Sequence, residues 1–157
     1  MNIDAAKSSA TSSFITRLAL YGLGLNAVWE YVQCGTFYAM PDLSFWRHAL
    51  LMWAAIFGDV VIVLGIAYLA RLTVGAGHLF PFDQKGWLAM LGFGLIASVI
   101  LEWSARHLNL WAYNQRMPVI IIFGESIGLS PILQITVLPA LSVYLSTCCP
   151  PSGKRAR

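Results

Sequence analysis

Four long apolar stretches, separated by short polar ones, are the feature that most restricts what this chain can become. They run over about residues 14–38, 48–72, 86–107 and 127–146. Each is long enough to cross a bilayer as a helix, which takes about 20 residues at about 1.5 Å of rise apiece. Of the 157 residues, 58% are hydrophobic and only 11% charged, against about 25% charged in a soluble domain, and the mean hydropathy is +0.68. The expectation is an all-α integral membrane protein, a four-helix transmembrane bundle forming one domain over residues 1–157. Such a use of the chain leaves no room for a Rossmann unit, a P-loop domain or any large extramembrane catalytic domain.

The first stretch is too long for a signal-peptide core and has no Ala-x-Ala-like cleavage site, so it is read as a retained span. Pro131 and Pro139 in the fourth predict kinks rather than a break, because neighbouring helices can satisfy the freed carbonyls. Residues 118–126, PVIIIFGES, are apolar but too short to span. They are read as an interfacial or re-entrant piece, a lid, or an irregular lead-in to the last helix.

Lys7, Arg17, Arg71, Lys85, Lys154, Arg155 and Arg157 collect on one side, and Arg47, Arg106 and Arg116 on the other. The positive-inside rule then puts both termini of this multi-pass chain in the cytoplasm. Trp46, Trp111 and Tyr113 fall at the outer boundary, and Tyr68, Trp87 and Tyr144 at the inner one, as interfacial aromatic belts do. The formal charge of +3 therefore belongs to membrane flanks, and no nucleic-acid partner follows from it. No internal repeat with two matching halves is visible. That argues against an inverted-repeat transporter unless a dimer supplies the symmetry, and a homo-oligomer or a larger membrane complex stays open.

The residues costly to place in hydrocarbon carry the functional information. They are Asn26, Glu30 and Gln33 in the first span, Asp59 in the second, Glu102 with Arg106 in the third, and Gln134 in the fourth. A charge at mid-bilayer costs roughly 2.5 to 3.5 kcal/mol on the insertion scale. Asn26, Glu30 and Gln33 are spaced i, i+4, i+7 and form one stripe, and Glu102 and Arg106, also i, i+4, can partly neutralise each other. With both termini inside, Asp59, Gln134 and Asn26 lie near the midplane, Glu30 somewhat outward and Glu102 about 7 Å outward, at about 1.5 Å per residue. Polar groups from four helices thus reach one depth, the geometry of a shared pocket in the outer half. Aromatic residues accompany the acids: Trp29 and Tyr31 flank Glu30, Trp53 precedes Asp59, Trp103 follows Glu102, and Trp111 and Tyr113 sit in the next loop. A carboxyl in a low-dielectric pocket keeps its proton more readily than in water, and aromatic faces stabilise cations. The combination suits protonation of a lipid alkene or epoxide followed by carbocation rearrangement. It equally suits a cationic solute or a proton relay.

Simpler roles exist for each of these side chains. Buried amides and acids lock helices together, and tryptophans near helix ends anchor them at the interface. Gly94 with Ser98, and Ala54 with Gly58, are small-xxx-small spacings that permit close helix approach. His48, His78 and His107 lie at span ends on both sides of the membrane, so no metal site and no haem ligation is expected. No cofactor is expected either. Cys34 is separated by the membrane from Cys148 and Cys149, so no disulfide joins them; the Cys-Cys pair beside the basic tail could be acylated or bind metal. Ser130 lies in GLSP rather than GxSxG, which gives no support to a serine hydrolase.

The segments NAVWEYVQ, FYAM, GDVVIVLGIAY, LEWSARHLNLWAYNQRMP and GLSPILQ, in that order, resemble a group of small bacterial inner-membrane proteins over most of residues 26–139. NAVWE and LWAYN are also similar, more distantly, to elements of integral-membrane terpene and lycopene cyclases. That resemblance implies an acid role for Glu30. SPILQ departs from it, with Leu133 and Gln134 where lycopene cyclases have two glutamates, which speaks against lycopene cyclisation. The leading expectation is a lipid or isoprenoid substrate, bound and isomerised or cyclised, with Glu30 as proton donor and Asp59 or Glu102 tuning or receiving the proton. Asn26, Trp29, Gln33, Trp53, Trp103, Arg106, Trp111, Tyr113 and Gln134 would line the binding site. The alternatives are a small proton- or cation-coupled transporter and a structural subunit of a membrane complex.

Overall fold

The computed structural model describes residues 3–39, 44–79 and 82–148, with side chains from residue 12 onward. Cys149 and the basic tail with Lys154, Arg155 and Arg157 lie outside the described residues, as does the side chain of Lys7. Four helices carry the fold: α1 (Ile3–Phe37), α2 (Phe45–Val74), α3 (Gln84–His107) and α4 (Leu129–Cys148). A short 3-10 turn, Ala76–His78, links α2 to α3. α2, α3 and α4 are each long and apolar enough to cross a membrane. α1 is 35 residues long but carries the Asn26, Glu30 and Gln33 stripe, which lowers its hydropathy.

The all-helical expectation needs one correction. Residues 118–126 are not an irregular lead-in: they contribute to an antiparallel hairpin of β1 (Val119–Ile122) and β2 (Glu125–Gly128), in register Val119 to Gly128 and Ile122 to Glu125. Phe123 and Gly124 have φ of 49° and 84°, the two positive values a type I′ turn requires. The run Val-Ile-Ile-Ile is β-branched throughout, which suits a pleated strand better than a helix.

Local chemistry fixes the other boundaries. Gly75, at φ 89°, ends α2 with its N–H on the Arg71 carbonyl at 3.0 Å. Asp83 caps α3, its carboxylate accepting the Gly86 N–H at 3.0 Å. That bond first, and the His78 ring second, hold the Asp83 carboxyl below the usual carboxylate range. α3 closes in a Schellman motif with Asn109 in the left-handed position: Leu110 N–H bonds Ala105 O at 2.9 Å and Asn109 N–H bonds Arg106 O at 3.1 Å.

α4 is the hub, packed against each of the other three helices. Its buried positions run almost all round it, whereas α2 and α3 each bury one stripe, 52, 56, 63, 66, 67, 70 and 86, 90, 94, 98, 102, 105 respectively. Outward-facing positions are apolar, as with Val61, Ile96 and Ile100, the reverse of a soluble bundle. Leu18, Val63, Ile66, Ala70, Met90, Ala140 and Val143 form an apolar core at one end, where the buried Ser142 and Ser146 hydroxyls bond carbonyls of their own helix; the polar side chains that bond between helices gather toward the other.

The Gly94–Ser98 spacing does bring helices together. A Cβ on Gly94 would lie 2.6 Å from Ile135 O and 2.9 Å from Thr136 Cα, so α3 and α4 touch backbone to backbone. Pro139 has no N–H to give to Ile135, four residues earlier, and the freed carbonyl faces Gly94. As expected, Pro139 does not break the helix, α4 continuing to Cys148. Pro131 falls in the first turn of α4, where the missing N–H has no intrahelical partner to lose. Ala54 and Gly58 behave differently: both are exposed, on the outward side of α2.

Candidate functional site

The i, i+4, i+7 stripe of α1 points inward, continuing a line that begins with Leu18 and Gly22. Asn26, Glu30 and Gln33 are 2%, 7% and 3% exposed. They meet Asp59 of α2 and Ser130 and Gln134 of α4. Gln134 is the centre. Its Nε2 donates to Asn26 Oδ1 at 3.0 Å, Glu30 Oε1 at 2.8 Å and Asp59 Oδ2 at 2.8 Å. Its Oε1 accepts from Gln33 Nε2 at 3.0 Å. Gln33 Nε2 also reaches Glu30 Oε1 at 3.1 Å, and Gln33 Oε1 accepts from Trp29 Nε1 at 3.1 Å and Ser130 Oγ at 2.8 Å. Asn26 Nδ2 is committed to the Gly22 carbonyl at 2.9 Å, and the Cys34 thiol lies 3.7 Å from Glu30 Oε2.

Counting hydrogens gives this network its chemical character. An amide nitrogen has two hydrogens, yet Gln134 Nε2 faces three oxygens. Turning the amide over would set an oxygen against those same three acceptors, which is worse. Asn26 cannot supply the deficit, since its own N–H groups lie on the other side of its amide. The third hydrogen that would satisfy all three oxygens is a proton on one of the two carboxyl groups, Glu30 or Asp59, which are joined through Gln134 Nε2. No lysine or arginine forms an ion pair with Glu30 or Asp59 among the described residues.

Glu102 stands in a second, adjoining cluster, close enough to Glu30 for the two charges to interact. It is 2% exposed, and its Oε2 accepts the Tyr113 hydroxyl proton. The same hydroxyl accepts the Gly128 N–H at 3.1 Å, so Tyr113 ties α3 to the base of the hairpin. A side chain at 128 would collide with Tyr113 and Met117, each 3.1 Å from an added Cβ. Tyr113 is itself held by the edge-on ring of Tyr38 at 5.6 Å and by backbone bonds from Ala39 to Ala112 and from Asn114 to Phe37, both 2.9 Å.

Several expected site residues take other roles. Arg106 makes no direct ion pair with Glu102, although its charge still acts on that carboxyl: its Nη1 donates to Trp111 O at 2.6 Å and its guanidinium lies 4.9 Å from the centre of the Tyr113 ring. Trp53 is 43% exposed and packs on Phe57 rather than beside Asp59, because its position falls outside the buried stripe of α2. Tyr31 is exposed as well. Trp103 stacks on His107 at 5.0 Å, and His107 Nδ1 lies 3.3 Å from Glu125 Oε1. Trp29 and Tyr113 are in the clusters, and Trp111 borders the second through its carbonyl. Ser130, Cys34 and Tyr38 are further members. Ser130 precedes Gln134 by four residues, so the helical period alone places it on the same face.

Cys34 and Cys148 are free thiols, and no grouping of His, Cys, Asp or Glu suited to a metal occurs among the described residues. The chain matches no protein-family model, no curated protein and no solved structure.

Proposed function

We propose that this chain is a four-span protein of the cell inner membrane, both termini cytoplasmic, that binds an isoprenoid or other lipid and isomerises or cyclises it by acid catalysis. The observation that carries the reading is the hydrogen deficit at Gln134. Two carboxyl groups from different helices share one amide, no lysine or arginine pairs with them among the described residues, and one proton between them completes the network. A proton held this way, in an apolar surround, is available to an alkene or epoxide that water never reaches. Glu30, at the acid position of the cyclase-like NAVWE element, is the donor; Asp59, the less buried of the pair, takes a proton back from the rearranged cation. The two transfers balance, so isomerisation consumes no co-reactant. The Trp29 ring, whose Nε1 is fixed on Gln33, supplies an aromatic face beside the developing positive charge.

A second reading has its own support. Glu102 and Tyr113 extend the polar line from Glu30 toward the hairpin end of the bundle, as a proton relay to a small transporter would require. The experiment is to incubate purified protein with lipid extract of the source membrane and analyse the products. The lipid reading expects wild type to convert a component and Glu30→Gln to bind that component without converting it; conversion by Glu30→Gln overturns it. Uptake into proteoliposomes that depends on a pH gradient and is lost in Asp59→Asn, with no lipid product, would favour the transporter.

A further inference from the structure

The hairpin presents an apolar surface that neither the bundle nor the proposed chemistry uses. Residues 117–124 contain no polar side chain. Phe123 is 92% exposed and Ile121 73%, with Val119 and Ile120 also open, and Leu108 and Leu110 in the preceding loop each 64% exposed. A type I′ turn ordinarily takes Asn-Gly, whereas here a phenylalanine is held at φ 49°, a conformation bulky residues avoid. The tip is rigidly mounted, because β2 packs on α3 and Tyr113 grips Gly128.

We infer that the β1–β2 hairpin is a membrane anchor, its tip at Ile121 and Phe123 seated in the lipid interface at that end of the bundle. Three features favour lipid over other occupants. β2 runs into α4 with no intervening residue, so the hairpin stands at the level where that helix begins. The outward face of α3, apolar at Ile96, Ile100 and Leu101, continues into Leu108, making one surface with the exposed loop. Arg47 and Arg116 are exposed at the same end, where lipid phosphates would meet them. A contiguous apolar surface of this kind on a water-facing loop would be an aggregation hazard; in the interface it is an anchor.

The proposal rests on the membrane-spanning reading and not on the acid chemistry, and the test separates the two. In a background with Cys34, Cys148 and Cys149 replaced by alanine, Phe123→Cys and, as a control on the outward face of α2, Val61→Cys are labelled with bimane. The labelled full chain is reconstituted in phosphatidylcholine–phosphatidylglycerol vesicles, with or without brominated acyl chains. The expected result is loss of emission at both positions with brominated lipid and none with aqueous iodide. Quenching at 123 by iodide alone, with 61 still quenched by bromolipid, overturns the anchor and leaves the bundle in the membrane. Protection at 123 from both quenchers, with bimane self-quenching that grows with the protein-to-lipid ratio, assigns the surface to a second copy and also overturns it. If 61 is not quenched by bromolipid, the membrane reading fails and the anchor with it. Ile121→Cys replaces Phe123→Cys should that variant lose its helical circular dichroism.

Discussion

Asp59→Asn separates an acid kept for chemistry from an acid kept for packing. The substitution is nearly isosteric and exchanges a carboxyl for an amide with two hydrogens. In wild type the shared proton supplies the third hydrogen to the three oxygens around Gln134 Nε2; in the variant a new N–H next to Glu30 supplies it instead, so the number of bonds is unchanged. A bond between membrane helices averages about 0.6 kcal/mol, and for a chain of this size about 2–4 °C of melting midpoint accompanies each kcal/mol. The midpoint therefore stays within the about 1–2 °C that one bond is worth. The assay is thermal unfolding in detergent followed by circular dichroism, run beside the lipid-conversion assay on the same preparation. Expected is an inactive protein of unchanged stability, and the same for Glu30→Gln. Were the carboxylates themselves the glue, both variants would melt lower, and a fall of several degrees in each would refute the hydrogen count.

The remaining predictions concern other parts of the structure. Gln134→Leu removes four hydrogen-bond contacts and, at about 0.6 kcal/mol each, costs about 2.4 kcal/mol, read as a drop in the same midpoint. Gly94→Val drives a side chain into the Ile135 carbonyl and costs about 1–3 kcal/mol, whereas Gly58→Val, facing open space, changes the midpoint little. Tyr113→Phe frees the Gly128 amide, and hydrogen–deuterium exchange across residues 125–129 speeds up while the α2 amides are unaffected. Because the folded-state Asp83 carboxyl titrates below its ordinary value, its contribution is present above that ordinary value and fades as pH falls through the lowered one. Asp83→Ala therefore narrows its deficit against wild type as pH falls toward acid.

Much of the bundle was legible because its signals are local. Apolar runs of spanning length and the Gly94–Ser98 spacing of α3 each state a helix or a close approach. The α1 stripe was legible for the same reason: Asn26, Glu30 and Gln33 share a face by helical period, whatever they meet. What they meet is a tertiary fact. Gln134 gave no sign of being the hub rather than one more packing amide, because its partners lie 75 to 108 residues away in sequence. The i+4 spacing of Glu102 and Arg106 gave their charge interaction but not a contact, because the Trp111 carbonyl and the Tyr113 ring hold the guanidinium. Trp53 was tied to Asp59 by proximity along the chain, but six residues is not a helical repeat. The hairpin was hidden by its apolarity, which reads as membrane before it reads as strand, and by its turn, since Phe-Gly is not among the dipeptides that signal a two-residue hairpin loop.

The central claim is that Glu30 and Asp59 share one proton across Gln134. Infrared spectroscopy of the protein in lipid at neutral pH reads this directly, through the carbonyl stretch of a protonated carboxyl that shifts in deuterium oxide. The account predicts such a band in wild type and its loss in both Glu30→Gln and Asp59→Asn. A wild-type spectrum without it, or a band that survives both substitutions, would contradict the account.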